Sequence, residues 1–240
     1  MKKNALVTGG TKGIGLGITK MLLELGYYVT VTYGHDENSA LQFEKMFYPE
    51  RDNFELIKVD LGNKKDIYCL INLIKEKGAL DCLIFNAGVT LRRGITDFTD
   101  EEWEYVMNVN VNAPVIIIRD LYTIMPPNSR IIFIGSEMGI HPHGTSLAYG
   151  VSKTAVHGLA KNLVKFFEGT GTTINAIAPG FVETEWQKNK PIEIRKSICN
   201  KTAIGRFATV DEIVEVVQLI INNAFVNGSI IEVNGGYNYK

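Results

Sequence analysis

Val7-Thr8-Gly9-Gly10-Thr11-Lys12-Gly13-Ile14-Gly15-Leu16-Gly17, VTGGTKGIGLG, leads out of the apolar run NALVTG and into a helix-like segment. That order, strand then glycine-rich turn then helix, decides how the glycines are read. Glycines let a backbone turn tightly and come close to a phosphate, and the free N–H groups and positive end of the helix favour its negative charge. The setting therefore points to the pyrophosphate of a dinucleotide. Three residues separate Gly9 from Gly13, so the loop differs from the general G-x-G-x-x-G pattern.

Beyond this turn, strand-like runs alternate with helical patterns along the whole chain: YYVTVTY, FELIKVD, LDCLIFNAG, RIIFIGS, TTINAIAPG and GSIIEVNGG follow the first. Helix-length segments fall at 13–25, 37–47, 63–77, 99–125, 149–168 and 209–224. Seven strands joined by helices predict a parallel, doubly wound sheet with helices on both faces, a Rossmann-type α/β fold. No repeat, low-complexity stretch or linker breaks the pattern, so one domain over 1–240 is expected. Residues 181–208 are too long for an ordinary connection and are expected to form a substrate lid.

The composition narrows the partners. A formal charge of −1 gives no bias toward nucleic acid or a membrane surface, and the longest apolar runs are strand-sized, so a small-molecule partner is expected. Cys69, Cys82 and Cys199 form no metal-ligand spacing, and with a start unlike a signal segment they suit a reducing cytoplasm. No metal site is predicted. His141 and His143 lack a third ligand and are assigned instead to a polar loop on the substrate side, with Glu137, Met138 and Trp186.

A second stretch carries chemistry. In AYGVSK, Tyr149 and Lys153 stand four residues apart and share a helix face. A phenol has an ordinary pKa of about 10, and a cation beside it would favour its ionised form. Taken alone, such a pair is mostly surface packing, Ser136 after a strand is mostly a cap, and Asn110 in a helical run is mostly solvated.

The ordered set changes that. Thr8-Gly9-x-x-x-Gly13-x-Gly15, FNAG at 85–88, Asn110 in VNV, Ser136, Tyr149-x-x-x-Lys153 and PGFVET at 179–184 together resemble the short-chain dehydrogenase/reductase family over the full chain. The resemblance implies a hydride transfer between a nicotinamide and a carbonyl or secondary alcohol. Tyr149 would be the acid in reduction, Lys153 would bind the nicotinamide ribose and lower the tyrosine pKa, Ser136 would hold the carbonyl oxygen, and Asn110 would support a water chain from Lys153. The cofactor contacts carried over are Gly9, Thr11, Lys12, Gly13, Ile14, Gly15, Tyr33, Asp60, Leu61, Asn86, Ala87 and Gly88, then Tyr149, Lys153, Pro179, Gly180, Val182 and Thr184. NAD-preferring members carry a carboxylate where this chain has Tyr33, and Lys12 occupies a position from which basic residues reach a 2′-phosphate, with His35 able to assist. NADP is therefore expected over NAD, with Asp36 as a contrary charge. Asp60 could equally cap the following helix.

Within the family, GRFAT and the C-terminal NGG are most similar to 3-oxoacyl-carrier-protein reductases, which implies a thioester-linked substrate and a place in fatty acid biosynthesis. MPPNSR is short, FFEGTGTT lacks the arginine or lysine that would meet an acidic carrier, and Phe85 replaces the first Asn of the family's NNAG turn. A small ketone, a hydroxysteroid, or a nucleotide-sensing protein without turnover stay open as alternatives. The resemblance also implies a dimer or tetramer formed through helices 99–125 and 149–168 and the last strand.

Overall fold

Along each central strand, alternate side chains serve two separate cores. Leu6, Leu83, Phe85, Ile131 and Phe133 belong to one, and Ala5, Val7, Cys82, Ile84 and Ile132 to the other. Such strands are buried on both faces, which is the condition of a parallel sheet covered by helices. The computed structural model describes residues 2–142, 144, 146–237 and 239. Its sheet comprises β1 (Asn4–Thr8), β2 (Tyr28–Tyr33), β3 (Phe54–Lys58), β4 (Cys82–Phe85), β5 (Arg130–Ile134), β6 (Thr173–Pro179) and β7 (Ile230–Val233). All pairings are parallel, in the order β3-β2-β1-β4-β5-β6-β7. The seven-stranded α/β expectation is thus met.

The helices are α1 (Gly13–Glu24), α2 (Glu37–Met46), α3 (Lys64–Lys77), α4 (Asp100–Met107), α5 (Ala113–Leu121), α6 (Leu147–Leu163), α7 (Glu185–Lys188), α8 (Ile192–Lys201) and α9 (Val210–Asn222). Ile18 and Leu22 of α1, Phe43 of α2 and Val217 of α9 fill one core. Leu70 and Ile74 of α3, Ile117 of α5 and Val156 of α6 fill the other. Among the described residues, no helix is long and apolar enough to cross a membrane.

The continuous helix expected over 99–125 is in fact interrupted. A wider π-turn covers Asn108–Asn112, where Ala113 N–H reaches back to the Asn108 carbonyl. Pro114, at the start of α5, explains the break: it has no N–H to give the carbonyl four residues earlier, that of Asn110. The disruption sits at Asn110, which is buried. Likewise α6 begins two residues before Tyr149 and gives way at Val164 to a short 3-10 turn, and 181–208 contains α7 and α8 rather than a bare loop.

The chain runs outward from β1 to β2 and β3, then returns to β4 on the other side. The reversal leaves a crevice beyond the carboxyl ends of β1 and β4, the place where open α/β sheets bind ligands.

Candidate active site

At that crevice the glycine loop is held from below. Asn86 Nδ2 donates to the Gly9 carbonyl at 2.8 Å and the Thr8 carbonyl at 3.1 Å, while Thr8 Oγ1 accepts from the backbone N–H groups of Asn86 and Ala87. Gly9 and Gly13 have φ of +64° and +55°, in the region only glycine enters freely. A Cβ at Gly15 would lie 2.2 Å from the Gly9 carbonyl oxygen, so helix and loop touch backbone to backbone. Gly9 and Gly13 present bare backbone at the border of the cleft, and the cradle fits a pyrophosphate.

The cleft has a volume of about 730 Å³. Gly9, Thr11, Lys12, Gly13, Ile14, Tyr33, Asp60, Leu61, Asn86, Ala87 and Gly88 border it, as do Ser136, Tyr149, Lys153, Pro179, Gly180, Val182 and Thr184, the last lying against Gly13. Two sequence-predicted residues do not border it. Gly15 lies beneath the loop, and Asn110 lies behind Gly88.

At the outer end, Lys12 Nζ is bonded to Asp36 Oδ2 at 2.6 Å, and Asp36 also accepts from Ser39 N–H as the cap of α2. Lys12 first, then Ser39, hold the Asp36 carboxyl down at about 2. The contrary charge is therefore paired with Lys12 itself. His35 lies 3.7 Å from Asp60 Oδ2, and Tyr33 OH donates to Glu37. Asp60 does not cap α3: its Oδ1 accepts from Gly62 N–H, and Asn63 is the cap. Phe85, the departure in FNAG, is a buried strand residue stacked on Phe133 at 5.1 Å.

At the inner end, Lys153 is buried and donates to the Ile134 carbonyl at 2.7 Å; its ammonium sits 5.5 Å from the centre of the Tyr149 ring. Burial lowers its pKa to about 8. The expected depression of the Tyr149 pKa is not what this geometry gives. Burial dominates and raises it, and the opposing pull comes from the Ser136 hydroxyl rather than from Lys153. Ser136 Oγ accepts from Met138 N–H at 3.1 Å, so it caps a short turn while its own proton stays available to the cleft.

Asn110 does not bond Lys153. Its amide pairs with the backbone of Val89, accepting at 2.8 Å and donating at 2.9 Å, and donates again to Ser152 Oγ at 2.9 Å. Ser152 in turn donates to the Tyr149 carbonyl at 2.7 Å. Ser152 is a structural partner of the site that sequence reasoning did not single out; it lies within AYGVSK, but its burial is not visible there, while Thr8, quoted as the head of the glycine motif, proves to hold Asn86 and Ala87.

A second cavity of about 370 Å³ adjoins Ser136 and Tyr149 and is bordered by Glu137, Met138, His141, Phe181, Trp186 and Tyr237, among others. His143 lies outside the described residues. Glu137 is buried, and burial, then the nearby Glu232, push its pKa up to about 7.

Known proteins are similar to this chain in sequence and in fold. Residues 3–194 match the family model described as short chain dehydrogenase. YtkK of Bacillus subtilis is 30% identical over 98% of this chain and 96% of its own length. The 3-oxoacyl-[acyl-carrier-protein] reductase FabG of Rickettsia felis is 29% identical with the same coverage. Among solved structures, a short-chain dehydrogenase/reductase from Serratia marcescens superposes with a TM-score of 0.91 at 27% identity, covering 98% of both chains. A short chain dehydrogenase from Burkholderia cenocepacia, in complex with NADP, gives 0.90 at 25% identity, covering 98% of this chain and 97% of that one. With residues 3–194 matched by the family model and a relative 30% identical over 98% of the chain, this chain belongs to the short-chain dehydrogenase/reductase family of oxidoreductases.

Proposed function

We propose that the protein is an NADP(H)-dependent carbonyl reductase in which Tyr149 delivers the proton. The observation that carries this reading is the meeting of Ser136, Tyr149 and Lys153 at the junction of a dinucleotide-sized cleft and a second, smaller cavity. Structures of similar chains hold NADP or NADPH, which supports the cofactor. When bound, NADPH supplies the hydride for the carbonyl carbon.

The charge left on the substrate oxygen must then be met. Ser136, its lone pair engaged by Met138 N–H, donates toward that oxygen and orients it. Tyr149 gives up its phenolic proton to the growing alkoxide. An alkoxide is far more basic than any phenolate, so the raised pKa of Tyr149 does not oppose reduction; it keeps the acid protonated at neutral pH. Lys153 holds a positive charge beside the ring. Asn110 and Ser152 act by positioning: they tie the π-turn and Val89 to the first turn of α6, on which Tyr149 rides. The segment 181–208, anchored where Phe181 and Glu183 exchange backbone bonds with Ala208, serves as the lid.

Two expectations arise here. Reduction requires both the phenol and the Lys153 cation, so kcat is flat from about pH 6 to 7.5 and declines as Lys153 deprotonates above about 8. In Lys153→Met, a pH–rate profile no longer shows that decline. Separately, Lys12→Ala lowers NADPH affinity about tenfold and NADH affinity little, measured by nucleotide titration; an unaltered ratio removes Lys12 from 2′-phosphate recognition.

The similarity to FabG proteins makes 3-oxoacyl thioesters the first substrates to try, with small ketones and hydroxysteroids next. A homo-oligomer is proposed through the outer faces of α4 to α6 and the β7 edge, supported by the exposed Val115 of α5 and Val151 of α6. The test of function is a carbonyl panel that includes carrier-linked and coenzyme-A-linked 3-oxoacyl compounds, read by NADPH oxidation. Turnover of at least one member is expected; NADPH binding without turnover of any would favour a nucleotide sensor.

A further inference from the structure

The smaller cavity is bordered by buried polar atoms that have no hydrogen-bond partner. Among the described residues, Glu137 Oε1 and Oε2, Gln187 Oε1 and His141 Nε2 are buried without a hydrogen-bond partner, and all three residues border this cavity. Buried polar atoms are normally paired, so four unpaired ones around one space call for a partner from outside the chain. Glu137 is the sharpest case. It follows Ser136 directly, is 4% exposed, and neither carboxylate oxygen has a donor.

Among the described residues, no donor of the surroundings is bonded to it. Glu232 is a second carboxylate, 3.9 Å from His141 Nε2, and its charge raises the Glu137 pKa. Tyr237 feels the charge of Glu137 in the same way. The cations bordering the cavity, Arg92 and Lys201, are exposed at its rim and form no bond to Glu137. An alkyl chain laid in this space would leave the carboxyl stripped of water and unpaired, whereas an O–H or N–H group would satisfy it.

We propose that Glu137 is a specificity residue: it selects carbonyl substrates that carry a hydroxyl or ammonium donor close to the carbonyl, over unsubstituted alkyl or acyl ketones. The inference rests on the carbonyl-reductase reading and names the substrate class within it. Specificity of this kind is large because the buried acceptor, once built, is left unpaired by the analogue that lacks the donor.

The test uses isosteric sets: butanone, hydroxyacetone and aminoacetone, then pentan-2-one, 4-hydroxybutan-2-one and 4-aminobutan-2-one. Each is measured for kcat/KM with NADPH, and by calorimetric titration into the protein saturated with NADP⁺. In the wild-type protein at least one donor-bearing member is favoured over its alkyl isostere by about tenfold or more. Glu137→Val abolishes or inverts that order. Glu137→Gln keeps a preference for hydroxyl within a few-fold and loses any preference for ammonium, which separates the two donor chemistries. NADPH affinity unchanged in both variants shows that the fold is intact; if the valine variant does not fold, the wild-type order and the isosteric glutamine variant decide. Equal or reversed order in the wild-type protein, or a donor preference that survives Glu137→Val, overturns the proposal. Absence of all turnover would instead strike the reductase reading, and the calorimetric order would still decide the role of Glu137.

Discussion

Replacing Tyr149 by Phe is expected to lower kcat for carbonyl reduction by about 10²- to 10⁴-fold while leaving NADPH affinity within about twofold. The ring is half-buried at the meeting of the two cavities, and phenylalanine preserves its packing and its place above the Lys153 ammonium. What disappears is the phenolic proton placed to follow hydride transfer; the Ser136 hydroxyl that remains is a weaker acid. A loss of this size corresponds to about 3–5 kcal/mol of transition-state stabilisation. Because Ser136 remains to hold the carbonyl oxygen, KM should change less than kcat. Steady-state kinetics and a fluorescence titration of NADPH separate the two effects.

The second large effect is expected at Gly15. A methyl group there would lie 2.2 Å from the Gly9 carbonyl oxygen and 2.5 Å from Asn86 Nδ2. Neither neighbour can step aside, because Asn86 Nδ2 is bonded to that same carbonyl and to Thr8. Alanine would add about 1 kcal/mol of helix propensity to α1, but overpacking against fixed backbone costs about 1–3 kcal/mol. The loop must move, and with it the N–H groups that face the pyrophosphate. Gly15→Ala should therefore weaken NADPH binding more than tenfold and lower the melting temperature. Gly158→Ala is the control: nothing lies within 4 Å of its added methyl on α6, so binding should not change.

The two predictions depend on features of different legibility. The glycine loop, the Tyr–Lys pair and the strand–helix alternation are local patterns, and local patterns survive in one sequence. The division of the sheet into two cores is also readable, since adjacent residues such as Leu83 and Ile84 face opposite ways by the geometry of a strand. The break at Asn110 was only half visible. Pro114 announces it, but the choice of a π-turn over a kink depends on how Asn110 meets Val89 and Ser152 across the fold.

What the chain conceals is pairing at long range and the state of charged groups. Lys12 and Asp36 are 24 residues apart, and their bond follows from the turn after β2 lying over the glycine loop. The balance of effects on Tyr149 is equally hidden. A lysine one helical turn away suggests a lowered pKa, but burial of the phenol outweighs that suggestion, and Lys153 spends a hydrogen bond on the Ile134 carbonyl. Glu137 could be placed beside the site from its position after Ser136. Its burial without partners could not, because an acidic residue after a strand ordinarily points to solvent.

The central claim is that hydride passes from NADPH to a carbonyl carbon at the junction of the two cavities. NADPH carrying deuterium at both C4 positions, incubated with the protein and the carbonyl panel, tests it by mass spectrometry of the products. An alcohol one mass unit heavier than that formed from unlabelled NADPH, with its yield lost in Tyr149→Phe, is the predicted result. NADPH bound in the cleft with no labelled alcohol from any carbonyl, or labelled alcohol formed equally well without the Tyr149 hydroxyl, would contradict it.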